Sequence, residues 1–300
     1  MKDRLQALLT LLIAAIAFTA CGDNDGESSG GGADNANRNI VTDEPAVSRL
    51  EFPRLKGGRS IVIVYRTDDC NKYDKDRVNF AVEWDCDKKA QRWSCYQMHS
   101  GYSGPYSRVV DGYPNDASLD PADRWDKDYI YGSGFQHGHI CPNGDRKYSH
   151  DANYQTFYMT NMQPQYGSFN GYSGSEEGLW VRMENKVRDW TPKNTKDTLY
   201  VCKGGTIDSE DQILTRIDGK MIVPGYFFMA LLLKHQYGYR ALGFYAEHTD
   251  RWGTDENLAD YVVSIDELEK LTGIDFFCNL PDREEEKVES KVYKKDWGLE

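Results

Sequence analysis

Seven short segments rich in β-branched and aromatic residues constrain the fold more than any other feature of this 300-residue chain. They lie at residues 60–65, 78–84, 93–98, 155–160, 198–202, 226–233 and 241–247, and each has the length and composition of a strand. Helical patterning is scarcer. Trp180, Met183, Val187 and Trp190 fall on one stripe within residues 178–190, which predicts an amphipathic helix. Another helix opens at Ser264, whose hydroxyl and Glu267 form a capping-box pattern ahead of Leu268 and Leu271, and it closes at Gly273. With no internal repeat, this pattern predicts one α+β domain over residues 48–281, a central and mostly antiparallel sheet with flanking helices.

The two ends differ from that domain. Lys2 and Arg4 precede an apolar run from Leu8 to Phe18, then Thr19-Ala20-Cys21, so residues 1–21 read as an export signal and not a spanning helix. The small-residue pair ending on a cysteine resembles a bacterial lipobox. Cys21 is then the expected lipidation site, and a plain cleaved signal is the alternative. The expected location is the envelope or outer surface of a bacterium, with the membrane reached through the lipid anchor. Residues 22–47 are Gly, Ser, Asn and Asp with almost nothing apolar, a composition that predicts a flexible tether. Residues 282–300 alternate charges of both signs and predict a solvated helix or frayed tail.

Six cysteines remain after Cys21: Cys70, Cys86, Cys95, Cys141, Cys202 and Cys278. An even number in an exported chain predicts disulfides, with the pairing left open. A zinc site of His137, His139 and Cys141 is the competing expectation, because i, i+2, i+4 spacing places all three on one face of a strand. The net charge of −12 excludes a broadly basic surface of the sort that holds nucleic acid by charge alone.

Chemistry-bearing residues concentrate between Phe135 and Glu184. Phe135-Gln136-His137-Gly138-His139-Ile140-Cys141-Pro142 sets two histidines around one glycine, which leaves room for a close approach such as that of a phosphate. Downstream come Asn161 in Thr160-Asn161-Met162-Gln163-Pro164-Gln165, then Phe169-Asn170, and then Glu184 four residues after Trp180. An imidazole, two carboxamides and a carboxylate suit a hard cation such as Mg²⁺, which takes few protein oxygens and keeps its waters.

These motifs, in this order, resemble the DNA/RNA non-specific endonuclease family, whose ββα-metal site carries an Asp-Arg-Gly-His signature. The similarity covers roughly residues 61–280 and extends to Ile265-Asp-Glu-Leu-Glu-Lys-Leu-Thr-Gly-Ile-Asp-Phe-Phe277, which is similar to the family's C-terminal element. By that resemblance His139 is the general base, Asn161 orients the site, Asn170 holds the metal and Glu184 positions water around it. The resemblance implies hydrolysis of phosphodiester bonds in DNA and RNA with Mg²⁺, for which Mn²⁺ substitutes, leaving 5′-phosphate and 3′-hydroxyl ends. Arg146, Lys147 and Arg108 are the basic residues expected to meet the phosphate backbone. No protein partner is predicted. A locally basic cleft is enough for turnover in an acidic protein, so substrate affinity should be weak and salt-sensitive.

The chain departs from the family at three places. Gln136 and His137 stand where Asp and Arg are usual, and a histidine makes the expected phosphate contact pH-dependent. About six extra residues, including Gly174-Ser175-Glu176-Glu177, separate Asn170 from Trp180 and are expected to form a loop. Met229 occupies a position where the family often has Lys. Two further classes of function stand as alternatives: a catalytically silent relative that only binds nucleic acid or a partner at the cell surface, and a structural lipoprotein built around zinc at His137, His139 and Cys141.

Overall fold

The computed structural model describes residues 35–69 and 74–299. Strands β1 (Ser60–Arg66), β2 (Val78–Asp85) and β3 (Ala90–Met98) form a meander. The chain then leaves for β4 (Gln136–His139), α1 (His150–Gln155), β5 (Met162–Gln165) and α2 (Gly167–Asn170). A small hairpin of β6 (Tyr172–Ser173) and β7 (Glu176–Glu177) leads to α3 (Leu179–Asp189). After β8 (Thr198–Gly205) come the paired β9 (Ile213–Ile217) and β10 (Met221–Pro224), then β11 (Tyr226–His235), β12 (Gly238–Glu247) and β13 (Val262–Val263). Two helices, α4 (Ile265–Thr272) and α5 (Asp282–Glu289), follow.

The main sheet runs β1-β2-β3-β8-β11-β12-β13 and is antiparallel at every pairing. Both its faces are covered, which explains why its central strands read as nearly continuous apolar runs. Alternate residues separate cleanly. Phe227, Met229, Leu231 and Leu233 of β11 join Leu199 and Val201 of β8 in one core layer, under α2 and α3. Phe228, Ala230 and Leu232 join Tyr200 and Cys202 in the other, under α4, α5 and the segment from Ala46 to Phe52. Each fully buried Leu or Phe contributes roughly 1.5–3 kcal/mol of transfer free energy, so this double burial dominates the fold.

Six of the seven expected strands form, and residues 155–160 do not. Ser149 caps α1 by accepting from the Ala152 amide, and the chain then turns through residues 156–161 instead of extending. The expected six-residue loop before Trp180 is the β6–β7 hairpin, turning at Gly174 with φ of +62°.

Both ends of the described chain pack onto the domain. Asn35 donates to the Cys278 carbonyl, and Asn39 is buried with its amide on the Val47 and Pro53 carbonyls, so the tether expected over residues 22–47 does not extend past residue 34. The charged tail is anchored too: Val288, Trp297 and Leu299 are buried, and Trp297 meets Trp190 edge-on at 4.8 Å. A few apolar side chains within a charged stretch are enough to dock it. Cys86, Cys95, Cys141, Cys202 and Cys278 are free and buried, so the described cysteines form core packing and not the expected disulfides. Cys21 and Cys70 lie outside the described residues.

Candidate active site

The two histidines sit on a hairpin in which β4 pairs with β5, Gln136 opposite Gln165 and His139 opposite Met162. A Cβ on Gly138 would fall 2.2 Å from the Gln165 carboxamide, so the glycine admits a buried side chain where space for a phosphate was expected. Past His139 the strand ends, and Cys141 turns into the core. His137, His139 and Cys141 therefore do not converge as zinc ligands; among the described residues, the side chains that do converge in that way lie elsewhere.

Asn161 fixes where β4 ends. Its Oδ1 accepts from the Cys141 amide and the Ser94 hydroxyl, both at 2.9 Å, and its Nδ2 donates to the Cys141 and Thr156 carbonyls, both at 2.8 Å. Its own carbonyl accepts from the Ile140 amide at 3.1 Å. The residue is wholly buried and does not line the cleft. Asn161 thus orients the backbone that carries His139 and is a positioning residue, not one that touches substrate.

A cleft of about 780 Å³ opens over this hairpin and α3, and it gathers His139, His137, Asn170, Glu184 and Arg108 on its walls. Lys147 and Arg188 also line it, so its cations outnumber its carboxylate despite the acidic total charge. Arg146 is absent from it. That guanidinium is fully buried between the rings of Tyr96 and Tyr102, 4.5 and 4.8 Å away, and donates to the Gln97 carbonyl, which makes it core rather than a phosphate contact. Gly178 lets α2 and α3 approach, since a Cβ there would sit 2.2 Å from the Phe169 carbonyl; this contact brings Asn170 to the foot of α3.

Glu184 is held from two sides. Lys203 donates to its Oε1 at 2.7 Å and Arg188 to its Oε2 at 3.2 Å, while Arg188 also bonds Asp145 at 2.7 Å. Sequence patterning missed Lys203, although it sits on β8 with the same parity as Leu199 and Val201 and so had to point into a core layer. It lies directly opposite Met229 across the β8–β11 ladder.

His137 stacks on Tyr113 with centroids 3.7 Å apart and meets Asp128 through Nε2 at 2.8 Å. Burial lowers its pKa despite Asp128, so it stands neutral and does not replace an arginine's charge. Arg108 and Arg188 line the same cleft. Burial, then the proximity of Arg108, His137 and Lys203, lowers the His139 pKa to about 3. A hydrogen bond to the His137 backbone engages one ring nitrogen, and Nε2 carries no partner among the described residues. That nitrogen is itself buried, and the ring stands neutral, the protonation state a general base requires.

The residues present fit a hard cation. The Asn170 amide nitrogen is turned to Gln136 Oε1 at 3.4 Å, which leaves its carbonyl oxygen as a ligand. Both oxygens of Glu184 are already engaged, so its carboxylate reaches a cation through water. One neutral protein oxygen with water in the remaining positions is an arrangement that a hard cation accepts.

A model of the family described as DNA/RNA non-specific endonuclease matches residues 57–283. The chain belongs to that family. It is 28% identical over 228 residues to a nuclease of Nostoc sp., covering 71% of this chain and 76% of that one. To the human mitochondrial nuclease EXOG it is 29% identical over 220 residues, with 68% of this chain and 56% of the relative covered. The chain therefore spans little more than half the length of that mitochondrial relative. A chain from the crystal structure of the EndoG/EndoGI complex shares the fold, with a TM-score of 0.56 at 17% identity, covering 72% of this chain and 94% of that one.

Proposed function

We propose that this family member is an exported, lipid-anchored, Mg²⁺-dependent endonuclease that cuts DNA and RNA with little regard for sequence. One observation carries the proposal: His139, Asn170 and Glu184, from a strand end, a short helix and a long helix, line a single cleft. Neutral His139 takes a proton from the water that attacks phosphorus in line. Arg108, Arg188 and Lys147 draw the phosphate backbone in and offset its charge as bonds rearrange. The Asn170 carbonyl would hold Mg²⁺, with Glu184 orienting its waters, and the ion would supply charge neutralisation at the phosphate. Tyr131 and Tyr172, 85% and 59% exposed at the cleft, offer faces on which bases of either sugar type stack. Export and anchoring rest on the apolar run from Leu8 to Phe18 and on Cys21.

The test is a nicking assay on supercoiled plasmid and on RNA, with Mg²⁺ and with chelator. Cleavage of both substrates only with Mg²⁺ is expected. Retention of either substrate without cleavage identifies a silent binder and refutes the proposal. Mass spectrometry of Cys21 from envelope fractions separately tests the anchor, with an unmodified thiol refuting it.

A further inference from the structure

The second core layer carries a feature that the cleft does not use. Asp266 and Glu269, three residues apart on one face of α4, meet Glu289 at the end of α5, and one carboxylate oxygen of each lies within 4.8 Å of the others. Glu285, one turn before Glu289, adds a further carboxylate on the same side of α5. Two helices that present acid to each other repel unless something intervenes. The lysines of these helices do not intervene, because Lys270 pairs with Glu267 and Lys287 with Glu284. Among the described residues, no cation forms an ion pair with Asp266, Glu269 or Glu289.

Glu289 provides the independent observation. It is 5% exposed, and its Oε1 is buried with no hydrogen-bond partner. Leaving a carboxyl oxygen dry and unpartnered is expensive, and one that joins two other carboxylates has the arrangement of a ligand. Glu269 shows the same division of labour, with Oε1 accepting from the Phe276 amide at 2.8 Å and the other oxygen available. We propose that Asp266, Glu269 and Glu289 form a structural Ca²⁺ site that clamps α4 to α5 on the side of the sheet away from the cleft. Oxygens on opposite sides of one Ca²⁺ stand about 4.6–5.2 Å apart at its usual bond lengths, whereas Mg²⁺ draws its ligands closer. The packing around the site supports a clamping role. Asn37 of the N-terminal segment donates to Asp275 and Glu285, so the ion would fasten the two helices against which that segment rests.

The test uses the full chain, stripped with chelator, on an Asn170→Ala background so that the cleft contributes no metal binding. Calorimetric titration should show one Ca²⁺ per chain, and melting should shift upward by roughly 5 °C at a hundredfold excess over Kd. Both effects should vanish in Glu289→Gln and in Asp266→Asn, the second of which alters a more accessible ligand and keeps the test open if the first variant fails to fold. Absence of Ca²⁺ uptake on the Asn170→Ala background, or uptake and a shift that persist in Asp266→Asn, overturns the proposal.

Discussion

Replacing Lys203 by Met removes the ammonium beneath Glu184 while keeping the length of the stem. Lys203 is 1% exposed, donates to Glu184 Oε1 at 2.7 Å and lies 4.5 Å from the centroid of the Trp180 ring. The cation would leave behind a largely buried carboxylate with Arg188 alone, at 3.2 Å. Breaking a buried pair from one side costs about 3–5 kcal/mol, because the remaining charge loses its partner without regaining water. Urea unfolding followed by tryptophan fluorescence should register that loss. Glu184 also loses one of the two donors that aim it, so plasmid nicking should fall roughly 10–100-fold, as when a ligand's supporting partner is removed. The ladder then offers a rescue. Met229 and Lys203 are directly opposed, and facing Cβ atoms on adjacent strands stand about 4.5–5.5 Å apart, within the reach of a lysine stem. Lys203→Met combined with Met229→Lys should therefore recover part of both losses. If Lys203→Met unfolds within about 1 kcal/mol of the parent and nicks normally, the ion pair has no role in holding Glu184, and that part of the account of the cleft is wrong.

His139→Ala should lower turnover by about 10²–10⁴-fold with the unfolding midpoint nearly unchanged; normal nicking would remove the base from that residue. Gly138→Ala places a methyl group against the buried Gln165 carboxamide and should destabilise by about 1–3 kcal/mol, measured by urea unfolding, with an unaltered midpoint showing that Gln165 can move aside. Burial lowers the His248 pKa to about 4, and neutral His248 accepts from the Tyr166 amide while its Nδ1 contacts the Pro224 carbonyl. The unfolded chain protonates this ring below about pH 6.5 and the folded chain does not, so its contribution of about 3 kcal/mol is present above that value and is lost as pH falls toward 4. Glu289 and Glu269 carry raised values and slope the other way, so the comparison is parent against His248→Asn across this window, with equal slopes refuting the assignment.

The strands of the main sheet were legible because β-branched and aromatic runs and helical stripes are local patterns, and double burial only strengthens them. Ser264 and Gly273 likewise marked both ends of α4, since caps depend on their immediate neighbours. Residues 155–160 failed for the opposite reason. Their β propensity is real, but the Thr156 carbonyl accepts from the Asn161 side-chain amide, and that side chain is held by Ser94 and Cys141 from distant parts of the chain. The ends of the described chain failed similarly, because docking needs only a few residues such as Asn39 and Trp297, which do not alter an average composition.

At the site, residue types and their order were enough to single out His139, Asn170 and Glu184, because the chemistry demands a base, a neutral oxygen ligand and a carboxylate whatever their surroundings. Which cations join them was decided in three dimensions. Arg146 and Lys147 are adjacent in the chain, yet the first is sealed between two tyrosine rings and the second faces the cleft. Lys203 lies far along the chain from Glu184, and only the pairing of β3, β8 and β11 beneath α3 brings its ammonium there. Charge is a property of a residue, but its partner is a property of the packed chain, because burial decides which charges must find one another.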